Sequence, residues 1–91
     1  MTENSMTKAE RERVILQFLA DSGLALPQKP IYVNLKRDRK ITFTQKTLKR
    51  RISDLTEKGF VRRLDIGNGY YEITDKGRAY LRADLDADDL D

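Results

Sequence analysis

TFTQKTLKRRISDLTEKG, Thr42 to Gly59, is the stretch on which the reading of this chain turns. Thr44 is a good helix N-cap, because its hydroxyl can accept an orphan backbone N–H of the first turn. Leu48, Ile52 and Leu55 recur at i, i+4 and i+7 and mark a buried stripe. Phe43 directly precedes the cap, and Leu48 lies at the fourth helical position, the spacing of a hydrophobic staple. Gly59 supplies the left-handed residue that commonly ends a helix. Opposite the stripe lie Lys46, Lys49, Arg50 and Ser53. The sequence predicts a helix from Gln45 to Lys58, held by a narrow apolar seam, with a cationic, hydrogen-bonding face turned to solvent. A helix that enters a DNA groove needs such a face, although a plain surface helix can carry one too.

Charge is segregated along the chain. The net charge is only +3 over 91 residues. The last eight residues, DLDADDLD, hold five Asp and no base, and without them the balance is +8. Between Lys36 and Arg63 eleven basic residues face three acids, Asp38, Asp54 and Glu57. Positive charge concentrated in this way is the footprint of a polyanion binder. The length suits one domain with a modest core. The charged share of 36% is high and the apolar share of 38% low, yet seven aromatics and many Leu, Ile and Val argue for a folded chain. With no Cys there is neither a disulfide framework nor a thiolate zinc site. With no His the commonest general base and metal ligand is missing, and neither an enzyme site nor a metal or cofactor site can be assembled with any conviction. No apolar run approaches the roughly 20 residues of a membrane span, and no signal peptide is evident, so a cytoplasmic, nucleoid-associated protein is expected.

Before the central helix, residues 1–6 read as a disordered polar start. TKAERERVILQFLADSG, Thr7 to Gly23, follows with Thr7 and Glu10 at capping-box spacing. Val14, Ile15, Phe18 and Leu19 form its apolar face, and Lys8, Arg11, Glu12 and Arg13 read as solvated. LALPQKP then leads into a short second helix, roughly Pro30 to Arg37, with Ile31, Tyr32 and Leu35 inward. Pro30 fits a first turn, where its missing N–H costs nothing. The cluster KRDRK, Lys36 to Lys40, either complements the helix dipole or touches phosphate. Ile41-Thr42-Phe43 is a short β-prone piece. Two helices, a tight connection and a basic third helix make a helix-turn-helix arrangement.

After Gly59 the period changes from helical to alternating. Phe60, Arg62, Leu64 and Ile66 alternate with Val61, Arg63 and Asp65, and YYEIT follows the triplet Gly67-Asn68-Gly69. Asn-Gly between two alternating runs predicts a hairpin with a primed turn. The triplet leads into a strand and lacks the Lys and Ser/Thr of a phosphate loop, so it is not a nucleotide site. Thr74 caps a last helix whose apolar side is Tyr80, Leu81 and Leu85. Gly77 inside that helix costs about 1 kcal/mol relative to Ala, which calls for close packing there. The domain is expected to span 7–85, with 86–91 an acidic tail that frays.

TQKTLKRRISDLTEKGFV, residues 44–61, resembles the recognition helix and first wing strand of many prokaryotic winged-helix regulators. GYYEITDKGRAYL, residues 69–81, is similar to their second wing strand running into the C-terminal helix. The family most resembled is the haloarchaeal phage phi-H repressor-like group of small transcription regulators, through LP, the basic second helix, ITDKGRAYL and the acidic ending. That resemblance implies an archaeal setting and an α+β fold, a winged helix-turn-helix of three helices, a two-stranded wing hairpin with a short extra strand, and a C-terminal helix. It implies a sequence-specific regulator of double-stranded DNA, a repressor; a homodimer is expected because a single small reading head gives limited affinity and a two-fold operator gives more, and no small-molecule ligand is evident.

In this reading the helix 45–58 lies in the major groove and the wing, 60–74, touches the minor groove or adjacent backbone. Arg50 suits a bidentate contact to guanine and Gln45 one to adenine, whereas Lys46 and Lys49 fit either base or phosphate. Thr44, Thr47 and Ser53 flank them, and Lys40 stands before the helix. Arg62, Arg63, Asn68 and Tyr70 are the wing candidates, with a solvated strand face as the other reading of the two arginines. A winged helix devoted to protein–protein contact, and an RNA or single-strand binder, are the competing readings. The first and last helices, with Leu81 and Leu85, are the candidates for a dimer seam.

Overall fold

The computed structural model describes residues 6–90, and side chains only over 6–83. Four helices and one hairpin follow in order: α1 Lys8–Ser22, α2 Gln28–Asp38, α3 Gln45–Glu57, β1 Val61–Leu64, β2 Tyr70–Ile73 and α4 Asp75–Leu90. This is the α+β winged helix-turn-helix. The start expected to be disordered lies, except for Met6, outside the described residues, as does Asp91. The backbone of 86–90 belongs to α4.

Local signals in the sequence account for most boundaries. Thr7 and Glu10 close their capping box: the Glu10 N–H donates to Thr7 Oγ1 at 3.1 Å, and the Thr7 N–H donates to Glu10 Oε1 at 2.8 Å. Gly23, at φ 66°, ends α1. Thr44 Oγ1 accepts the Thr47 N–H at 3.2 Å and starts α3. The α3 exit is a Schellman motif. There the Gly59 N–H donates to the Thr56 carbonyl, the Phe60 N–H donates to the Leu55 carbonyl, and Gly59 sits at φ 84°.

The core lies where α1, α2 and α3 meet the hairpin and α4. Ile15, Leu16, Leu19, Ile31, Leu35, Leu48, Ile52 and Leu55 are wholly excluded from solvent. Phe43 and Leu48 both belong to this cluster, so the staple residues are anchored in the core. Every residue of the expected α3 seam is therefore buried. On α1 the apolar face includes Leu16, whereas Val14 is only half-buried.

Several expectations need correction. Helix α2 begins two residues before Pro30, with Pro27 as its N-cap. The segment Ile41–Phe43 is not a strand, although Ile41 and Phe43 are buried. The extra strand is instead a single bridge at Leu26, whose N–H donates to the Tyr71 carbonyl at 2.9 Å and whose carbonyl accepts the Tyr71 N–H at 2.8 Å. It continues the sheet beyond β2. The hairpin pairs Val61 with Ile73, Arg62 with Glu72, Arg63 with Tyr71 and Leu64 with Tyr70. Its loop runs from Asp65 to Gly69 rather than through a two-residue turn. Positive φ falls on Gly67 and Gly69, not on Asn68, and the Gly69 N–H donates to the Ile66 carbonyl at 2.9 Å. Asn68 thus takes no left-handed conformation. Finally, Leu81 is 5% exposed and packs into the core of its own chain.

Thr74 Oγ1 accepts the Gly77 N–H at 3.0 Å and donates to the Gly59 carbonyl at 2.6 Å. One side chain therefore caps α4 and ties it to the end of α3. Gly77 is required by contact: a Cβ there would lie 2.3 Å from the Phe60 carbonyl oxygen and 2.7 Å from Ile73 Cγ1. Alanine would gain about 1 kcal/mol of helix propensity. The clash is with backbone, which cannot swing aside. Gly77→Ala is therefore expected to lower stability by about 2–3 kcal/mol net, as overpacking does elsewhere. Urea unfolding followed by circular dichroism measures it, and an unchanged midpoint would rule out the tight α4 approach.

Candidate nucleic-acid interface

Helix α3 is gripped on one side and bare on the other. Leu48, Ile52 and Leu55 fill the core, while Gln45, Lys46, Lys49, Arg50 and Ser53 are exposed. Thr44 is exposed beside them, and Thr47 is half-buried, with Thr44 Oγ1 donating to its hydroxyl at 3.3 Å. Among the described residues Lys46, Lys49 and Arg50 have no ion-pair partner. Their charge faces solvent uncompensated, in the state best suited to meeting an anion.

A fourth cation of α3 behaves differently. Arg51 is 6% exposed and falls in line with the apolar seam. Its guanidinium pairs with Asp54 at 2.9 Å and lies 3.6 Å from a Glu12 carboxylate oxygen. Glu12, on α1, is 4% exposed and also accepts Lys58 Nζ at 2.9 Å. Glu12 is thus not on a solvated face, as α1 charges were expected to be; it is a buried counter-ion for α3. Neither Glu12 nor Arg51 was singled out from sequence as a contact. The signal was present, however: each falls at helical spacing within an apolar stripe, and their charges are opposite.

The wing is electrostatically quieter. Arg62 is ion-paired across the strands to Glu72, and Arg63 to Asp65. Arg63 lies over Gly69, where any Cβ would be 2.8 Å from its Nε. Hydrogen bonding to Tyr71, then the charge of Asp65, pushes the Arg63 pKa up, so it is a fixed cation. Asn68 is exposed at the loop, Ile66 beside it is an exposed apolar side chain, and Tyr70 is half-buried, with its ring beside Gly67. Tyr71 packs against the core and its hydroxyl accepts Gln28 Nε2 at 3.3 Å.

The structure brings α3 and the wing together at one place. Lys49, Ser53, Thr56 and Glu57 of α3, Arg63 and Tyr71 of the hairpin and Gln28 of α2 line a cleft of about 260 Å³. Of the expected site residues, Lys49, Ser53 and Arg63 share this cleft. Lys46 and Arg50 lie outside it, exposed on α3, and Arg62, on the other face of the wing, lines a different hollow with Gly59 and Lys76. Gln28 has no sequence signal, because only the fold carries the start of α2 to this point.

Lys40 stands apart in the turn between α2 and α3. It is exposed and has φ 53°, the only positive φ at a non-glycine among the described residues. On the other side of the same turn, Arg39 pairs with Asp21 of α1 at 2.6 Å. Hydrogen bonds from Arg39, then from Gln17, hold the Asp21 carboxyl below its usual range.

The profile of the winged helix-turn-helix phage repressors matches residues 4–91, nearly the whole chain. The chain belongs to that family. Its class of activity is DNA-binding regulation of transcription. Solved structures similar to it include a transcriptional regulator from Clostridium thermocellum, with a TM-score of 0.76 at 18% identity over 91% of this chain and 84% of that one. RosR from H. salinarum superposes with a TM-score of 0.73 at 21% identity, covering 93% and 76% of the two chains. A complex structure of hsRosR-S4 gives 0.71 at 22% identity, covering 82% and 65%. At such identities these likenesses speak for the fold. No curated protein sequence matches the chain. Among the described residues no helix is long and apolar enough to cross a membrane, and no group of acidic side chains could hold a metal ion.

The buried network makes a quantitative demand. Glu12→Ala would leave the buried Arg51 guanidinium, one nitrogen of which already lacks a hydrogen-bond partner, with Asp54 as its remaining counter-ion, and would remove the acceptor of Lys58. A loss of about 2 kcal/mol is expected, less than the roughly 3–5 kcal/mol of a buried charge left with no counter-ion. Denaturant unfolding checks this, and a loss below about 1 kcal/mol would mean that water reaches the pair.

Proposed function

We propose that this chain is a sequence-specific repressor that binds double-stranded DNA as a homodimer and blocks a promoter. Helix α3 enters the major groove, and the hairpin β1–β2 lies along the adjacent backbone or minor groove. The observation that carries the reading is the bare cationic face of α3, with Lys46, Lys49 and Arg50 unpaired among the described residues. Gln45 and Arg50 are exposed near the start of the helix, the part that reaches base edges in such modules. Arg50 offers a guanine two parallel N–H donors, and Gln45 suits adenine. Thr44, Lys46, Thr47, Lys49 and Ser53 surround them. The cleft of Lys49, Ser53 and Arg63 suits a phosphate that passes between α3 and the wing.

The wing contributes less for its charge. Arg62 and Arg63 must exchange a carboxylate for a phosphate, so their net gain is small, and Asn68 and Tyr70 add uncharged contacts. The arrangement of the aromatics argues against single-strand recognition. Phe60 stacks on Tyr80 at 4.7 Å and Tyr71 is engaged by Gln28, which leaves no exposed aromatic platform among the described residues.

Binding of duplexes selected from a random pool, followed against salt, tests this reading. Affinity is expected to fall with a slope of about −0.9 per phosphate contact, and a flat response would overturn the proposal. Arg50→Ala should cost about 1–3 kcal/mol on the selected duplex and little on random DNA. Equal losses on both would make Arg50 a phosphate contact.

Lys40 supplies an independent check. Holding a lysine in the left-handed region costs about 1–2 kcal/mol, a strain that glycine would relieve. A strained side chain that is retained in the turn before α3 fits a phosphate contact. Lys40→Gly is therefore expected to stabilise the fold by about 1 kcal/mol while reducing the salt slope by about 1. Greater stability with unchanged DNA affinity would remove Lys40 from the interface.

A further inference from the structure

We infer that Glu12, Arg51 and Lys58 set how sharply this chain discriminates between DNA sequences, because they fix the angle at which α3 presents its reading face. They are positioning residues: each acts through Gln45 and Arg50, and their role rests on the major-groove reading proposed above for α3.

Arg51 and Lys58 stand seven residues apart on the seam side of α3, two helical turns and about 10 Å along its axis. Glu12 of α1 receives both, one on each carboxylate oxygen. Lys58 Nζ donates to Oε1 at 2.9 Å, and Arg51 Nη1 lies 3.6 Å from Oε2. A slide of α3 along its axis shortens one of these contacts and lengthens the other. A roll swings both cations off the carboxylate together. One buried acid on α1 therefore opposes both movements.

The rest of the seam resists roll poorly. Leu48, Ile52 and Leu55 lie on one line, and Thr47, Asp54 and Thr56 beside them are only half-buried. Nor is the charged contact shaped for strength. Arg51 Nη1 and Glu12 Oε2 are buried without a hydrogen-bond partner and approach each other only to 3.6 Å. Such a pair keeps a desolvation penalty that apolar side chains of similar size would not carry. What it supplies that they could not is direction.

Direction matters to base reading and little to phosphate grip. At the outer surface of a helix, about 6 Å from the axis, a roll of about 15° moves a side chain by about 1.5 Å. Hydrogen bonds to a base edge are confined to a far narrower range of distance and angle. A lysine meets phosphate as a point charge on a flexible stem and can follow the movement. An α3 released from Glu12 would keep its hold on DNA and lose its preference among sequences.

Replacing the pair by apolar side chains of similar volume, Glu12→Leu with Arg51→Met, separates orientation from stability and charge. The double change leaves the net charge as it was and removes both buried charges at once, which elsewhere is neutral or stabilising. Its thermal midpoint is expected not to fall, and its salt slope and its affinity for random duplex DNA are expected to stay as they are. Affinity for the duplex selected by the unaltered chain should fall by about 10-fold or more, the scale of one base contact. Lys58 is exposed, so Lys58→Met does not endanger folding. It frees one end of the restraint and should lower the selected-to-random ratio by about 3-fold. Should the double change fail to fold, Lys58→Met decides alone. An unchanged ratio in either folded variant would overturn the inference, as would an equal loss on both duplexes in the double variant. An unaltered chain with no preference for the selected duplex would overturn the proposed function and this role with it. If the unaltered chain discriminates and the variants discriminate equally, only this role falls.

Discussion

Helix α3 has to be held rigidly along one narrow stripe while the rest of its circumference stays bare. Everything else in the fold answers that requirement. Three apolar residues, Leu48, Ile52 and Leu55, give full burial on a line scarcely one side chain wide. Apolar burial is non-directional, so such a line alone leaves the helix free to roll about its axis. Arg51 removes that freedom. It lies in the same seam, and its charge finds an acid on α3 itself and another on α1. Lys58 reaches the same Glu12 from the far end of the helix. Two cations some two turns apart on one carboxylate fix the rotation as well as the position. A buried ion pair is a poor source of net stability. On the proposed function its use is orientation, since a small roll of α3 would move Arg50 and Gln45 away from a base edge.

The ends of α3 are fixed by local means, and this is why so much of the fold could be read from sequence. The Thr44 cap, the Phe43–Leu48 staple and the Gly59 exit each depend on residues within a few positions of one another. The capping box of α1 and the Thr74 cap of α4 are of the same kind. Gly77 was legible for another reason: a glycine in a helix interior is costly unless a neighbour needs the space, and the Phe60 carbonyl does. What stayed hidden was non-local. The bridge at Leu26 exists only because α1 and α2 deliver that residue to the edge of β2. The Ile41–Phe43 segment has β-prone composition, but it spends its side chains on the core and finds no strand beside it. The wing loop misled for a subtler reason. Asn-Gly suggests a primed turn, but with glycine on both sides of Asn68 the chain takes positive φ at Gly67 and Gly69 instead.

The candidate interface was legible in its residues and not in its electrostatics. Sequence places Lys46, Lys49, Arg50, Arg62 and Arg63 in one basic region and makes them look equivalent. The fold separates them. Lys46, Lys49 and Arg50 make no ion pair among the described residues, and Asp54 is taken up by Arg51 in the seam. The wing arginines face Glu72 and Asp65, which strand pairing and a two-residue spacing bring to them.

That separation bears on how such a domain finds and then reads a site. Exposed ion pairs are worth little to stability, on the order of 1 kcal/mol or less, so Glu72 and Asp65 do little to hold the wing together. Their larger effect is on the field outside the protein. A paired arginine projects a weak dipole, whereas an unpaired lysine or arginine projects a full charge, screened over about 10 Å at ordinary salt. On the proposed function, DNA at a distance would experience α3 more strongly than the wing, and its approach would be biased toward that helix. Only at contact, with phosphates crowding Arg62 and Arg63 as proposed, would the carboxylates be displaced. The wing then adds geometry more than attraction: Arg63 sits over Gly69 at the rim of the cleft it shares with Lys49 and Ser53. A backbone passing between α3 and the hairpin would be fitted there by shape, after the bare helix has drawn it in.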